Sequence, residues 1–436
     1  MNNQGRFKRV SVELPPIPIG SMIPLTGPSA ADGAEFRNGM ILAVEELNAQ
    51  GGLLGRRFRP IFADTCRQTA EEVVAAARML IEKHQVHAIV CGYNIGPQNS
   101  EYEPIADAGI IYVHANTLLQ HHDTVMSDPE RYFGCFMADP ADYWYGPGFI
   151  KFLSWLRDTG QWTPSSDRLA IIAGSKPYSI VIAQSMAAAA ADYGWRLCFG
   201  PRIVQTPTTQ WREVIEEVRA TNPAVVANTH FYAADLAYFQ RQFMENPIDC
   251  LVYLQYGAMH RTFADIAQES SVGIIVSSVI GLLRDEVGKS FEARYNARFG
   301  EGASATIGCQ SYSNMHHYAV AAAMAGGSGP PGDFEQNRKV AKALKGMIYR
   351  SVHGTIRYHP DWQAAVPYPV VTHDPSLGMP HIFYQIHDHR KPLSMIAPEP
   401  YNTERFILPP WMSRRRGPQK PAPASSPKTG RPTSSA

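Results

Sequence analysis

No run in this 436-residue sequence approaches the roughly 20 consecutive apolar residues that a membrane-spanning helix needs. An excess of one charge is missing as well. The chain has 40 Lys and Arg against 39 Asp and Glu, a formal net charge of +1, so no global field draws it to nucleic acid or anionic membranes. The six cysteines (Cys66, Cys91, Cys135, Cys198, Cys250 and Cys309) form no CxxC pair and have no histidine at finger spacing. Structural zinc and dithiol redox chemistry are therefore not expected. Most cysteines read as small buried hydrophobes; Cys66 and Cys91, both at strand ends, could pair only in an oxidising compartment. Catalytic signatures are missing too: there is no GxSxG elbow, P-loop, HExxH helix or GxGxxG turn opening a helix. No nucleophile–base pair can be named, and no cofactor or metal is implied. His121-His122-Asp123 and His387-Asp388-His389 read as exposed loops. His316 and His317, adjacent on a helix, project about 100° apart and cannot easily share a metal.

What the sequence does have is alternation. Hydrophobic residues make up 44% and charged residues 18%, which suits a chain of two or three cored domains. Residues 17–25, 58–64, 88–91 and 110–114 read as short apolar strands. Between them, residues 32–50 repeat Phe36, Met40, Val44 and Leu47 at helical spacing and stop at Gly51-Gly52. Residues 69–83 and 99–107 read as the next helices. After an aromatic loop near Tyr143, strands at 169–173, 195–204, 224–229, 251–255 and 273–278 alternate with helices at 180–193, 211–220 and 233–245. Helices at 315–325 and 334–347 follow.

Such alternation predicts an α/β fold: two similar doubly wound lobes with mainly parallel sheets, joined by a hinge. The expected layout is a disordered arm (1–16), lobe I (17–137), lobe II (138–280) and a return to lobe I (281–347). A lobe II/hinge and C-terminal segment (348–411) and a disordered basic tail (412–436) complete it. Near the start, Arg6, Lys8 and Arg9 precede Glu13, Pro15, Pro16 and Pro18. The apolar centre of an export signal is thus missing, and the expected location is the cytoplasm.

In open parallel sheets, ligands bind beyond the carboxyl ends of strands. That rule selects the loops 24–27, 92–98 and 114–117 in the first series, and 174–178, 229–232 and 255–256 in the second. They are rich in Tyr, Asn, His and Thr and poor in charge, which suits a small polar organic ligand. The candidate ligand contacts are Tyr93, Asn94, His114, Asn116, Tyr178 and Tyr232. Asp235, the nearest acid, is assigned to the first turn of a helix. No helix-turn-helix or RNA-binding motif is present, so direct nucleic-acid recognition is not expected.

Residues 23–64, IPLTGPSAADGAEFRNGMILAVEELNAQGGLLGRRFRPIFAD, set a TGP loop, an NAxGG helix end and a GR turn in order. This stretch, with most of residues 17–410, resembles the type I periplasmic-binding-protein superfamily in its amide, urea and branched-chain amino acid-binding branch. The resemblance implies two α/β lobes on a three-stranded hinge that close on a ligand. Cys91-Gly92-Tyr93 further resembles a strand-end segment of the cytoplasmic amide-sensing regulators of amidase operons and related nitrile hydratase regulators, and the segment 353–400 resembles the C-terminal region of the amide/urea branch. That likeness implies a non-catalytic sensor of a short amide, urea-like or nitrile-derived ligand. Such a sensor acts through a partner regulator, an antiterminator or transcription factor. Tyr93 then falls on a ligand-contacting tyrosine, whereas Ile95, His114 and Asn116 depart from the regulators' serine, tyrosine and threonine. The alternative is an ABC transporter solute-binding protein for amides, urea or branched-chain amino acids that serves a membrane permease. It would be periplasmic or envelope-bound, its signal sequence missing. Homo-oligomerisation stays open in both readings.

Overall fold

The computed structural model describes residues 14–94, 99–279, 281–367, 378–379 and 381–412. The expected arm up to residue 13, Ile95 in the ligand loop and the basic tail from residue 413 lie outside the described residues.

Strands β1 (Ile17–Ile23), β2 (Phe58–Asp64), β3 (Ala88–Val90), β4 (Ile111–His114) and β5 (Cys135–Met137) form one parallel sheet in the order β2-β1-β3-β4-β5. Strands β6 (Arg168–Gly174), β7 (Arg196–Val204), β8 (Val225–Asn228), β9 (Leu251–Leu254) and β10 (Ile275–Ser278) repeat that plan as β7-β6-β8-β9-β10. β11 (Tyr349–Ser351) and β12 (Gly354–Ile356) make a short antiparallel pair. β13 (Ile382–Gln385) and β14 (Ser394–Ala397) extend the second sheet in antiparallel fashion beyond β10. Helices cover both faces of a parallel sheet, so the inner strands β3, β8, β9 and β10 are buried throughout, whereas the edge strands β2 and β7 are largely exposed or half-buried.

Helices α1 (Ala30–Ala49), α2 (Ala70–Arg78), α3 (Tyr102–Ala108) and α4 (Gln120–Ser127) belong to the first lobe. α5 (Tyr145–Asp158), α6 (Pro177–Ala190), α7 (Arg212–Ala220), α8 (Ala233–Glu245) and α9 (Arg261–Ala267) belong to the second. The chain then returns: α10 (Glu286–Phe299), α11 (Ala305–Met324) and α12 (Phe334–Gly346) share an apolar core with β1 and α1. α1 lies closely against α11 at a pair of glycines. A Cβ on Gly39 would sit 2.0 Å from the Gly308 carbonyl oxygen, and the Ser311 hydroxyl donates to the Phe36 carbonyl at 2.7 Å across the same crossing. A side chain larger than hydrogen at Gly39 would force these two helices apart, while a Cβ on Gly308 would instead meet the Tyr295 hydroxyl of α10 at 2.3 Å.

The chain crosses between lobes three times: after β5, after β10, and between β12 and β13. These crossings are tied together, since Met137 N–H donates to the Gln363 carbonyl and Leu283 N–H to the Val352 carbonyl. One apolar core runs from Met22, Phe36 and Tyr93 of lobe I into Ile171, Tyr178 and Tyr256 of lobe II. The lobes therefore meet through side chains as well as through the hinge. Among the described residues all six cysteines are free and no helix is long and apolar enough to cross a membrane. No group of three or more metal-ligating side chains is found there either.

Candidate ligand-binding cleft

In each sheet the winding direction reverses beside the first strand, between β1 and β3 in one lobe and between β6 and β8 in the other. Neighbouring strands send their following loops to opposite sides there, which opens a crevice at the carboxyl ends. The two crevices face each other. They enclose a cavity lined by Tyr93, Ala115, Thr117 and Gln310 from lobe I and by Tyr145, Tyr178, Phe231 and Tyr256 from lobe II. Its space for the centre of a water-sized sphere is about 20 Å³, room for roughly one water. The lobes are closed.

Local chemistry holds each loop in place. After β1, the Asp64 carboxylate accepts from Leu25 N–H at 2.9 Å, Thr26 N–H at 3.2 Å, the Thr26 hydroxyl at 2.7 Å and Cys66 N–H at 2.8 Å. Burial pushes this carboxyl up, but the hydrogen bonds outweigh it and hold the group below its ordinary range. After β3, Gly92 leaves room for the Phe36 ring, which a Cβ would meet at 2.4 Å. Phe36 in turn stands edge-on to Tyr93, with centroids 5.1 Å apart. After β6, Gly174 N–H donates to Ser179 Oγ at 2.7 Å, and Ser179 pairs with Thr229 after β8 at 3.0 Å. Two lining residues carry backbone conformations that side chains rarely adopt: Thr117 has φ 56° and Tyr256 φ 35°. Strain of this kind collects at binding sites, where surrounding packing must hold it.

Across the cleft the lobes join through Asp32, in the first turn of α1. Its carboxylate accepts from the Tyr93 hydroxyl on one oxygen and meets His260 Nε2 of lobe II at 2.8 Å on the other. Burial raises the Asp32 carboxyl, against His260 and the Tyr93 hydrogen bond, which favour the charged form. Tyr93 and Tyr256 stand edge to face across the same boundary, 6.3 Å apart. On the second lobe, Gln255 donates to the Tyr178 hydroxyl at 3.0 Å, and Tyr178 stands edge-on to Tyr145 and Phe231 at 5.8 and 5.3 Å.

Of the six sequence-derived candidates, Tyr93 and Tyr178 line the cavity. Tyr232 is half-buried beside Phe231, at a centroid distance of 4.7 Å, as the residue that precedes α8. Asn94, His114 and Asn116 are fully buried and do not appear in the lining. They form a support behind it. Asn94 N–H donates to Asn116 Oδ1 at 3.0 Å, Asn116 Nδ2 donates to Glu101 at 3.0 Å, and the single Tyr112 hydroxyl proton is shared between Asn94 Oδ1 and Glu101 Oε1, each 3.1 Å away. His114 Nδ1 accepts from Asn116 N–H at 3.1 Å, so its proton sits on Nε2 and points to Tyr102 Oη at 2.6 Å. Tyr102 can then donate to His121 Nδ1 at 2.6 Å, and His121 Nε2–H to the Trp362 carbonyl at 2.7 Å. Burial drives both imidazoles down, His121 to about 3, as this chain of neutral rings requires. Both ring nitrogens of His114 are committed. His121 also corrects the expectation of an exposed loop: it is buried on α4, because Tyr102 and the hinge carbonyl satisfy its polar atoms. Asp235 stands in the first turn of α8, as expected, bonded to His230 at 2.9 Å.

Sequence reading misses Tyr145, Gln310, Asp32 and His260 as cleft residues. Tyr145 opens α5 in a stretch that reads as loop, and Gln310 arrives from α11, far downstream of most of the cleft loops. Only Asp32 leaves a signal, as an acid beside the TGP loop on an otherwise small-residue helix start.

A family model described as periplasmic binding protein matches residues 16–375. The chain belongs to that family. Its two lobes of mainly parallel α/β structure are the type I form of the periplasmic binding protein fold, and its relatives fall in the branched-chain amino acid-binding branch. One solved structure from Silicibacter pomeroyi, named provisionally as a branched-chain amino acid ABC transporter, is 44% identical. The likeness covers 91% of this chain and 100% of that one with a TM-score of 0.86. The substrate-binding protein LivJ from Streptococcus pneumoniae, solved with isoleucine, shares the fold at 16% identity and a TM-score of 0.69, over 88% of this chain and 100% of that one. Among curated proteins, a Leu/Ile/Val-binding protein from Rhizobium johnstonii is 41% identical over 64 residues, 15% of this chain. The match spans only 17% of that relative's length. These names speak of amino-acid transport, and the finer likeness to amide-sensing regulators is not one they carry.

Proposed function

We propose that this periplasmic-binding-type protein is the non-catalytic, solute-capturing component of an ABC-type uptake system. It would present a small polar organic solute, such as a branched-chain amino acid or related amide, to a membrane permease. One observation carries the reading: 44% identity along the whole of a structure named for branched-chain amino acid transport. The cleft between two strand-order switch points is the capture site that such a role needs. The relatives support this transport role better than the cytoplasmic amide sensor with a partner regulator. On the transport reading the protein works outside the cytoplasmic membrane.

A thermal-shift screen across branched-chain amino acids, short amides and ureas tests capture directly. A true ligand at about 100 times its dissociation constant adds roughly 2.7 kcal/mol of stability. If no member of the panel moves the midpoint, capture of this solute class is wrong. Fractionation of the source cells separates the two roles: recovery in the cytoplasmic fraction would restore the sensor.

A further inference from the structure

A chain of buried hydrogen bonds runs from the cleft through lobe II to the hinge. It starts at Tyr178 Oη in the cavity lining, which accepts from Gln255 Nε2 at 3.0 Å. Gln255 Oε1 accepts from the Tyr253 hydroxyl, and Tyr253 Oη meets Ser277 Oγ at 2.7 Å. Ser277 Oγ lies 2.8 Å from His381 Nε2. Gln255, Tyr253 and Ser277 are wholly buried and His381 is nearly so. Ser277 belongs to β10, just before the second crossing between the lobes. His381 directly precedes β13, where the third crossing re-enters lobe II. The last link thus clasps two hinge segments.

The far end gives the chain a direction. His381 Nδ1 is buried without a hydrogen-bond partner, and it faces Gly148 of α5, where a Cβ would stand 2.0 Å away. The rings of Tyr145 and Phe383 flank the imidazole at centroid distances of 5.3 and 4.4 Å. Burial holds the imidazole down to about 3, so at neutral pH it carries a single proton. An orphaned N–H is rarer in a protein core than a bare acceptor, which places that proton on Nε2 and gives it to Ser277. Each hydroxyl has one proton to pass on. Ser277 then donates to Tyr253, Tyr253 to Gln255 Oε1, and Gln255 Nε2 to Tyr178. Tyr178 keeps its own proton to give, to Tyr145 beside it in the lining or to a solute oxygen that takes its place. From this order we infer that His381 is a positioning residue: through Ser277, Tyr253 and Gln255 it sets the Tyr178 hydroxyl as a donor toward the cleft. The opposite order would leave an unsatisfied N–H on His381 Nδ1 against Gly148 and turn Tyr178 into an acceptor. The inference rests on the capture reading above and adds to it a residue outside the cavity lining.

Calorimetric titration of the full chain with leucine and with isobutyramide, two probes that carry an oxygen acceptor, tests the role. His381→Leu, which cannot donate, is expected to weaken at least fivefold whichever probe the parent binds. His381→Gln, whose side-chain amide can donate to Ser277, should stay within twofold of the parent. Ser277→Ala, a smaller change that breaks the same chain, should reproduce the loss. In a Tyr178→Phe background His381→Leu should cost no more than twofold, because the hydroxyl it positions is gone. A packing defect would instead weaken binding equally in both backgrounds. Nitrogen-15 NMR of the His381 ring reads its tautomer with no ligand present, and Nε2–H is expected. Unfolding midpoints close to the parent's confirm that the variants fold, and Ser277→Ala carries the test if His381→Leu does not. If the parent binds a probe and the folded variants bind it alike, the inference falls while capture stands. An equal loss in the Tyr178→Phe background, or an Nδ1–H tautomer, overturns it in the same way. If the parent binds neither probe, capture of this solute class fails and the inference falls with it.

Discussion

Tyr93 makes three contacts that no other cleft residue combines: Phe36 beneath it, Asp32 at its hydroxyl and Tyr256 across the cleft. Tyr93→Ala is therefore expected to weaken ligand binding at least tenfold, about 1.4 kcal/mol or more, by calorimetry. Asn116→Ala should instead lower stability by about 1–3 kcal/mol, because Glu101 and Asn94 N–H would lose their partner in a buried setting. Affinities that fall equally in both would show that Asn116 touches the ligand after all. Glu101 permits a pH test. Burial lifts its carboxyl to about 7, against hydrogen bonds from its own backbone, Tyr112 and Asn116 that favour the charged form. A folded value above the unfolded one of about 4.3 means that the native state keeps a proton the unfolded chain has released. Its stabilising contribution is complete below about pH 4 and is lost as pH rises through about 7. In Glu101→Gln the decline of stability between about pH 5 and 7.5 should flatten. Urea unfolding at several pH values checks this, and an unchanged slope would refute it.

At the scale of elements, the helix pair α1–α11 makes the sharpest prediction. Gly39→Val places two methyl groups where the Gly308 carbonyl lies 2.0 Å from a Cβ. The expected cost is about 1–3 kcal/mol, with a value at the upper end if α1 cannot shift, read as a lower urea midpoint. A midpoint equal to the parent's would mean that the crossing is slack. The same pair shows which elements the sequence reveals. α1 is legible because Phe36, Met40 and Val44 form one buried stripe. α11 is legible only in its second half, since Ala305 to Asn314 is small and polar with nothing periodic to see, yet it is almost wholly buried. Burial all round a helix erases amphipathic spacing. α5 is hidden by Gly146-Pro147-Gly148, which reads as a turn; proline is tolerated there because it sits in the first helical turn. The inner parallel strands β3, β8 and β9 are the easiest elements, because burial on both faces leaves a largely apolar run.

For the whole molecule, the question is what holds the lobes closed. The Asp32–His260 pair spans them at 2.8 Å with both side chains almost fully buried, and His260 is outside the cavity lining. His260→Ala removes the bridge and leaves the Asp32 carboxyl with the Tyr93 hydroxyl as its remaining partner. It also takes away the imidazole that stands edge-on to the lining residue Tyr256 at 5.4 Å. Ligand dissociation is accordingly expected to quicken at least tenfold while association changes little. Stopped-flow tyrosine and tryptophan fluorescence measures both rates. An unchanged off-rate would show that the hinge and apolar contacts close the cleft by themselves.

The sequence by itself determined the class of architecture. Alternating apolar runs and amphipathic stretches leave few ways to bury both, and the strand-end rule then pointed to the loops that do form the cleft. It also brought out Tyr93 and Tyr178, because they directly follow strands or open a helix at a switch point. Tertiary structure alone decided which polar residues face the cavity and which stand behind it. Asn94, His114 and Asn116 have the same local context as Tyr93, but Glu101, Tyr102, Tyr112 and His121 take up their hydrogen bonds from elsewhere in the lobe. Gln310 and the Asp32–His260 pair depend on contacts between segments far apart in the chain, and local sequence carries no record of those distances.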